Sequence, residues 1–220
     1  MLEFLQHIDE QLLLFVNGQH SPYFDLVMSA FSGRFVWIPM YLSIAYLLFQ
    51  NLNWKEALLY VAVIGAAIAA TDMVCAKAIR PAVERLRPAN LENPLSAFVH
   101  IVDGYRGGRY GFPSCHAANS FCLAVISALI IRRKAFAWFI FLWAVVNSYS
   151  RMYLGVHYPG DLIVGGLVGS ALAIGFYYLL KQLSQKLQLK SQVYTYYSIP
   201  ISVGVATAVV ILIVSAIQLF

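Results

Sequence analysis

Apolar residues run through this chain in long continuous stretches, separated by short polar breaks. Several of these runs approach the roughly 20 residues that an α-helix needs to cross a bilayer. They predict six spanning helices: Ser32–Phe49 (extendable upstream through Phe24), Ala57–Ala76, Ser114–Ile131, Ala135–Tyr149, Pro159–Leu180 and Ile199–Phe220. A membrane β-barrel would alternate polar and apolar residues instead. The expected fold class is all-α, a polytopic membrane helical bundle forming one domain over residues 1–220. Met1–Gly18 has a different pattern. Phe4, Leu5, Ile8, Leu12 and Phe15 recur at helical spacing, with Glu3, Asp9 and Glu10 on other faces. This predicts an N-terminal amphipathic helix in the membrane interface, ended by Asn17-Gly18. The segment has neither the basic start nor the small-residue cleavage site of a signal peptide.

Composition agrees with a membrane protein: 60% of residues are hydrophobic and 11% charged, where soluble domains carry about 25% charged. The distribution of charge adds orientation. Arg132, Arg133 and Lys134 share one short connection, and Lys181, Lys186 and Lys190 another. Six alternating spans put both on one side, together with the turn at Lys55. The excess of basic residues in short loops marks that side as cytoplasmic. Both termini, Lys77–Arg87, the long polar connection Ala89–Phe112 and Ser150–Asp161 then fall on the opposite face. Asp72, inside the second span, is expected to be paired with Lys77 or an arginine. Cys75, Cys115 and Cys122 show no disulfide or zinc spacing.

Three polar elements converge on the non-cytoplasmic face. Arg80 and Arg87 are seven residues apart, so on one helix they would share a face and clamp an anion; a snorkelling basic helix end would look the same. Pro113-Ser114-Cys115-His116 opens a helix, where free N–H groups favour an anion; Ser114 is also a plain N-cap. In Ser150–Asp161, His157 and Asp161 are four residues apart, allowing a carboxylate to orient an imidazole whose other nitrogen attacks. That stretch alone is also a polar interhelical loop. Taken together they provide what phosphoryl transfer needs: a nucleophile, an acid for the leaving group and positive charge around phosphate oxygens.

The pattern R-x6-RP, PSCH and SR-x5-H-x3-D resembles the three-part signature of the type-2 phosphatidic acid phosphatase superfamily, over residues 80 to 161. The resemblance implies His157 as a nucleophile forming a phosphohistidine, Asp161 as its orienting partner, and His116 as the leaving-group acid that later activates water. It implies Arg80, Arg87, Ser114, Cys115 (through its N–H) and Arg151 as phosphate ligands, with no metal or cofactor. Two positions depart from the family pattern. Arg80 stands where lysine is usual, replacing a point charge by a fork, with Lys77 an alternative donor at the wrong spacing. Cys115 stands where glycine is usual; glycine lets the backbone approach phosphate closely, so cysteine is expected to tighten the pocket or alter its tolerance. The implied activity is a membrane lipid phosphatase in a bacterial inner membrane, facing the periplasm. Its substrate would be a phosphorylated lipid: a polyprenyl diphosphate, a lipid A phosphate, phosphatidylglycerol phosphate or phosphatidic acid. A phosphotransferase would use the same residues, and a lipid transporter would need only the arginines. Arg106 and Arg109 are either solvated loop charges, the favoured reading, or contacts for a second phosphate or sugar. No nucleic-acid partner is indicated.

Overall fold

A computed structural model describes residues 2–187 and 194–219. Met1, Lys190 and Phe220, which the sequence-based expectations include, lie outside them. The described chain is helical: α1 (Leu2–Asn17), α2 (Pro22–Phe31), α3 (Ile38–Asn51), α4 (Trp54–Met73), a π-helical segment (Val74–Ile79) leading into α5 (Arg80–Val83), a 3-10 turn (Pro94–Phe98), α6 (Cys115–Ile131), α7 (Lys134–Tyr153), α8 (Pro159–Lys186) and α9 (Ser198–Ile217). Three stretches among the described residues are long and apolar enough to cross a membrane: Trp54–Val83, Pro159–Lys186 and Ser198–Ile217. Cys115–Ile131 is apolar but shorter.

The expected first span, Ser32–Phe49, is not one helix. α2 stops at Phe31 and α3 begins at Ile38 with Pro39 in its first turn. A helix continuous from Ser32 would drive the Pro39 ring into the Phe35 carbonyl. Trp37 fills the break, its indole N–H donating to Phe31 O at 2.8 Å. Asp72 also differs from expectation. It is exposed, and it accepts from Asn119 Nδ2 at 3.3 Å rather than from Lys77 or an arginine. A carboxylate that still reaches water does not need a cation.

α6 lies at the centre, packed against α4, α7 and α8. It is buried almost all round, from Ala117 and Ala118 to Ile130 and Ile131, as a helix without a polar face should be. Its closest neighbour is α8. A Cβ at Gly165 would lie 2.4 Å from Ser114 O, and one at Gly169 would lie 2.0 Å from Ala118 O. This Gly-x3-Gly stripe lets two backbones touch, and it brings the first turn of α8 against the first turn of α6, where Ser114 N donates to Asp161 O at 2.9 Å. Gly169→Leu should force the two helices apart, at more than the about 1–3 kcal/mol of ordinary overpacking. The expected result is a lower detergent melting temperature together with lost activity. A wild-type melting curve would sink this reading of the crossing.

At the far end of α6 the connections expected on one side do meet. Arg133 Nε donates to Tyr194 O at 3.0 Å, and Thr195 N donates to Asn51 Oδ1 at 2.8 Å. α1 faces the other way. Phe4, Leu5, Leu12 and Phe15 are exposed, while Leu13 and Asn17 are buried. Asn17 Nδ2 donates to Tyr153 O at 2.7 Å and to His100 O at 3.0 Å, tying α1 to α7 and to the long connection.

Candidate active site

The arginine-bearing segment after α4 is shaped by Pro81. With no N–H to give the Lys77 carbonyl, it cannot extend an α-helical ladder, and a π-helical segment precedes it. The helix ends at Val83, and Glu84 takes a left-handed conformation, φ 51°. Arg80 and Arg87 therefore do not share a helix face, as their spacing suggested. The chain reverses between them and pairs with the end of the long connection: Arg87 N donates to Arg109 O at 3.1 Å, and Gly111 N to Arg85 O at 2.8 Å. A Cβ on Gly111 would crowd Asp161 Oδ2 and Arg87 Cγ, both at 3.1 Å, so glycine lets this segment roof the site without displacing either side chain.

His157 is buried between two partners. Its Nδ1 lies 3.2 Å from Asp161 Oδ2, and its Nε2 lies 2.6 Å from Arg87 Nη1. A guanidinium can only donate. Nε2 therefore carries a lone pair and Nδ1 carries the proton, directed at the carboxylate. Asp161 is fully buried at the third residue of α8; its Oδ2 also accepts from Tyr158 N at 3.1 Å, and its Oδ1 from Arg85 Nη1 at 3.0 Å. Burial, and after it the charges of Arg87 and Arg151, push the His157 imidazole well below its usual range, keeping it neutral. Burial together with Arg80 and Arg151 pulls Arg87 down to about 10, still a cation at neutral pH.

Arg80 Nη2 donates to Pro113 O at 3.1 Å and approaches Cys115 Sγ at 2.9 Å. The cysteine that replaces the usual glycine thus turns its sulfur to the arginine that replaces the usual lysine. Arg151 bonds Ser32 Oγ and, at 3.2 Å, Tyr105 Oη. The Nε atoms of Arg80, Arg87 and Arg151 and the Nε2 of His116 are buried with no partner among the described residues. Buried donors are normally satisfied. The three arginines wall one space, and three cations around one space are what an anion would offset.

That space is a cavity of about 870 Å³. One end is walled by Arg34, Arg80, Arg87, Arg151, His116 and His157, with Cys115 beside them. The other continues between α3 and α4 along Tyr41, Ile44, Leu48, Val61, Ile64 and Ile68. Asp161 stands behind His157, off the wall. Ser114 is also behind it, fully buried, its Oγ accepting from Ala117 N at 3.4 Å as the cap of α6. Arg106 bonds Ala89 O at 2.8 Å, and Arg109 forms an exposed pair with Glu92 at 2.7 Å; neither they nor Lys77 are on the wall.

Arg34, Tyr105 and Arg85 are residues that the sequence reading missed. Arg34 sat inside an expected span, and a tyrosine in a glycine-rich connection gives no signal. Arg85 lay within the first motif, but nothing in its spacing points at Asp161. Away from the cavity, His20, Asp25 and His100 bring one ligand-capable atom each within 4.8 Å of one another. His100 Nε2 lies 2.9 Å from Asp25 Oδ2, a convergence across 75 residues that no local spacing reveals.

The sequence pattern of the PAP2 superfamily matches residues 56–185. The chain is 52% identical over 188 residues to the lipid A 4'-phosphatase of Bacteroides thetaiotaomicron, covering 86% of this chain and 84% of that one. It is 34% identical over 170 residues to the lipid A 4'-phosphatase of Porphyromonas gingivalis, covering 76% and 71%. Its fold is similar to the crystal structure of Aquifex aeolicus LpxE, with a TM-score of 0.59 at 24% identity over 76% of this chain and 93% of that one. With its three motifs gathered on one cavity and the match extending over more than half its length, the chain belongs to the PAP2 superfamily.

Proposed function

We propose that this protein removes the 4'-phosphate of lipid A through a phosphohistidine, without a metal, at the outer face of a bacterial inner membrane. The chain is an integral membrane protein and a hydrolase of phosphoric esters. The observation that carries the finer reading is the cavity: a cradle of arginine side chains opens directly into an apolar groove between α3 and α4. A phosphate held in the cradle would keep its acyl chains in that groove, reached sideways from lipid. Two relatives named lipid A 4'-phosphatase support this lipid within the wider class.

The groups are arranged for two displacements. On binding, phosphate oxygens take the donors of Arg80, Arg87 and Arg151, together with the free N–H groups of Cys115 and His116 at the start of α6. This removes Arg87 from the His157 lone pair. Nε2 then attacks phosphorus, the P–O bond to the sugar breaks, and His116, protonated once the phosphate's negative charge lies beside it, gives its proton to the departing oxygen. Asp161 stabilises the positive phosphohistidine through Nδ1. Water, deprotonated by His116, next attacks phosphorus, and the P–N bond breaks to return neutral His157 and phosphate. Ser114 acts as the α6 cap from behind the wall, holding the start of the helix against the cavity.

α3, α4 with α5, α6, α7, α8 and α9 are taken as the six crossings of one domain. The end bearing Arg132 and Arg133 is cytoplasmic by its basic excess, which turns the cavity to the periplasm. The test is phosphate release by purified protein from lipid A, phosphatidylglycerol phosphate and a polyprenyl diphosphate, with and without EDTA. Lipid A should be hydrolysed fastest and EDTA should change nothing. Preference for another lipid overturns the substrate, dependence on added metal overturns the mechanism, and no release from any of them overturns both.

A further inference from the structure

The carboxylate that orients His157 is itself held by residues to which the motif pattern gives no role. Asp161 Oδ1 accepts from Arg85 Nη1 at 3.0 Å. The same nitrogen lies 2.7 Å from Asp9 Oδ2, on α1. Asp9 Oδ1 accepts from Gly160 N at 2.7 Å, in the first turn of α8. The Arg85 guanidinium lies over the Tyr158 ring, 3.9 Å from its centroid. One cation thus sits between two carboxylates that are 152 residues apart in the chain, clamped by the residue between His157 and Pro159.

Neither Asp9 nor Arg85 reaches the cavity wall. They cannot touch substrate, so any part in the reaction passes through Asp161. Arg85 is mostly buried, with 21% of its side chain exposed, and Asp9 has 13% exposed. Charges this enclosed are held by geometry rather than scattered by solvent, unlike a surface pair. Gly160 is needed for the contact, because a Cβ there would lie 2.7 Å from the Asp9 carboxylate.

We propose that Asp9 and Arg85 are positioning residues for the His157–Asp161 pair. Arg85 holds the Asp161 carboxylate ionised and turned so that its second oxygen meets His157 Nδ1, and Asp9 fixes Arg85 while anchoring α1 to the start of α8. The N-terminal helix is thereby part of the active centre's support. The proposal rests on His157 being the nucleophile.

The experiment compares Arg85→Met, Arg85→Lys, Asp9→Asn, Asp9→Glu and His157→Ala with wild type. It measures kcat and KM for lipid A across pH, the melting temperature, and binding of inorganic phosphate. A carboxylate free to swing misplaces the imidazole, and displacements of this order cost about 10²-fold in rate. Arg85→Met should therefore lose about that factor in kcat, with KM and phosphate binding within about twofold. The acid limb of kcat should move to higher pH, because a buried carboxylate without its cation is easier to protonate. Arg85→Lys and Asp9→Glu should recover part of the loss, and Asp9→Asn should fall between. Wild-type kcat in Arg85→Met beside an inactive His157→Ala overturns the positioning proposal alone. A loss that tracks melting temperature, with no pH shift and no rescue, overturns it as well by making the pair purely structural. Activity in His157→Ala overturns the nucleophile on which the proposal rests.

Discussion

His157→Ala should abolish phosphate release, by about 10⁴-fold or more in kcat, while the protein still folds and binds phosphate. In the proposed mechanism the loss of His157 cannot be offset by its neighbours. Among the residues lining the cavity, His116 is the other imidazole, and in the proposed mechanism it carries the proton for the leaving group. Losing one member of a group that acts as a unit costs nearly as much as losing all of them. Folding should survive, because the imidazole's bonds are confined to Asp161 and Arg87, and both have other partners: Asp161 keeps Arg85 and Tyr158 N, and Arg87 keeps Val156 O at 3.0 Å. The decisive measurement is single-turnover reaction with labelled phosphate followed by denaturation. Wild type should trap acid-labile, base-stable label on the protein, and His157→Ala should trap none. Label retained by the variant would sink the assignment.

Arg87→Ala is expected to have the second largest effect, about 10³-fold in kcat/KM, the scale of losing a preorganised charge stabiliser. Arg87 has a second function that gives the substitution a signature. Its charge is one cause of the depressed His157 basicity, after burial. Without it the imidazole should bind a proton more readily, its basicity rising towards the ordinary range. The reactive form is neutral, so the acid limb of kcat/KM should move to higher pH. In wild type that limb should lie below the ordinary histidine value of about 6.5. Arg87→Lys should restore charge without the fork, leaving the limb near its wild-type position and the rate intermediate. A loss of rate in Arg87→Ala with an unmoved limb would separate the arginine from the histidine.

How far the sequence could be read depended on whether a feature is local. α6, α8 and α9 lie close to their expected bounds, because continuous apolar residues leave helix as the only structure with a satisfied backbone in lipid. The motif residues His116, His157, Arg80 and Arg151 share one cavity because each sits at or beside a helix end, and helix ends of one bundle layer meet; Arg87 joins them through the reversal after Val83. The break between α2 and α3 was hidden: one arginine at position 34 hardly lowers the hydropathy of its neighbours, and Pro39 also fits a helix's first turn. The reversal at Glu84 was hidden too, since a left-handed residue other than glycine has no compositional mark. Arg85 could not be assigned at all. Its partners lie 76 residues ahead and 76 behind, and only the folded chain puts Asp9 and Asp161 on either side of it.

The glycine crossing of α6 and α8 has a mechanical consequence. Where two backbones touch, relative rotation has its fulcrum, and displacement grows with the distance from that point. Asp161 is four residues from Gly165, about 6 Å along the axis, while Lys186 is twenty-one residues away, about 32 Å. Tilting α8 by about 10° on this fulcrum would carry its Lys186 end about 6 Å but the Asp161 carboxylate only about 1 Å. Helices tilt to match the thickness of their bilayer, so the crossing works as a short lever arm that insulates the chemistry from the membrane. Turnover in vesicles of increasing acyl length should stay nearly flat, and a steep optimum would show that the fulcrum lies elsewhere.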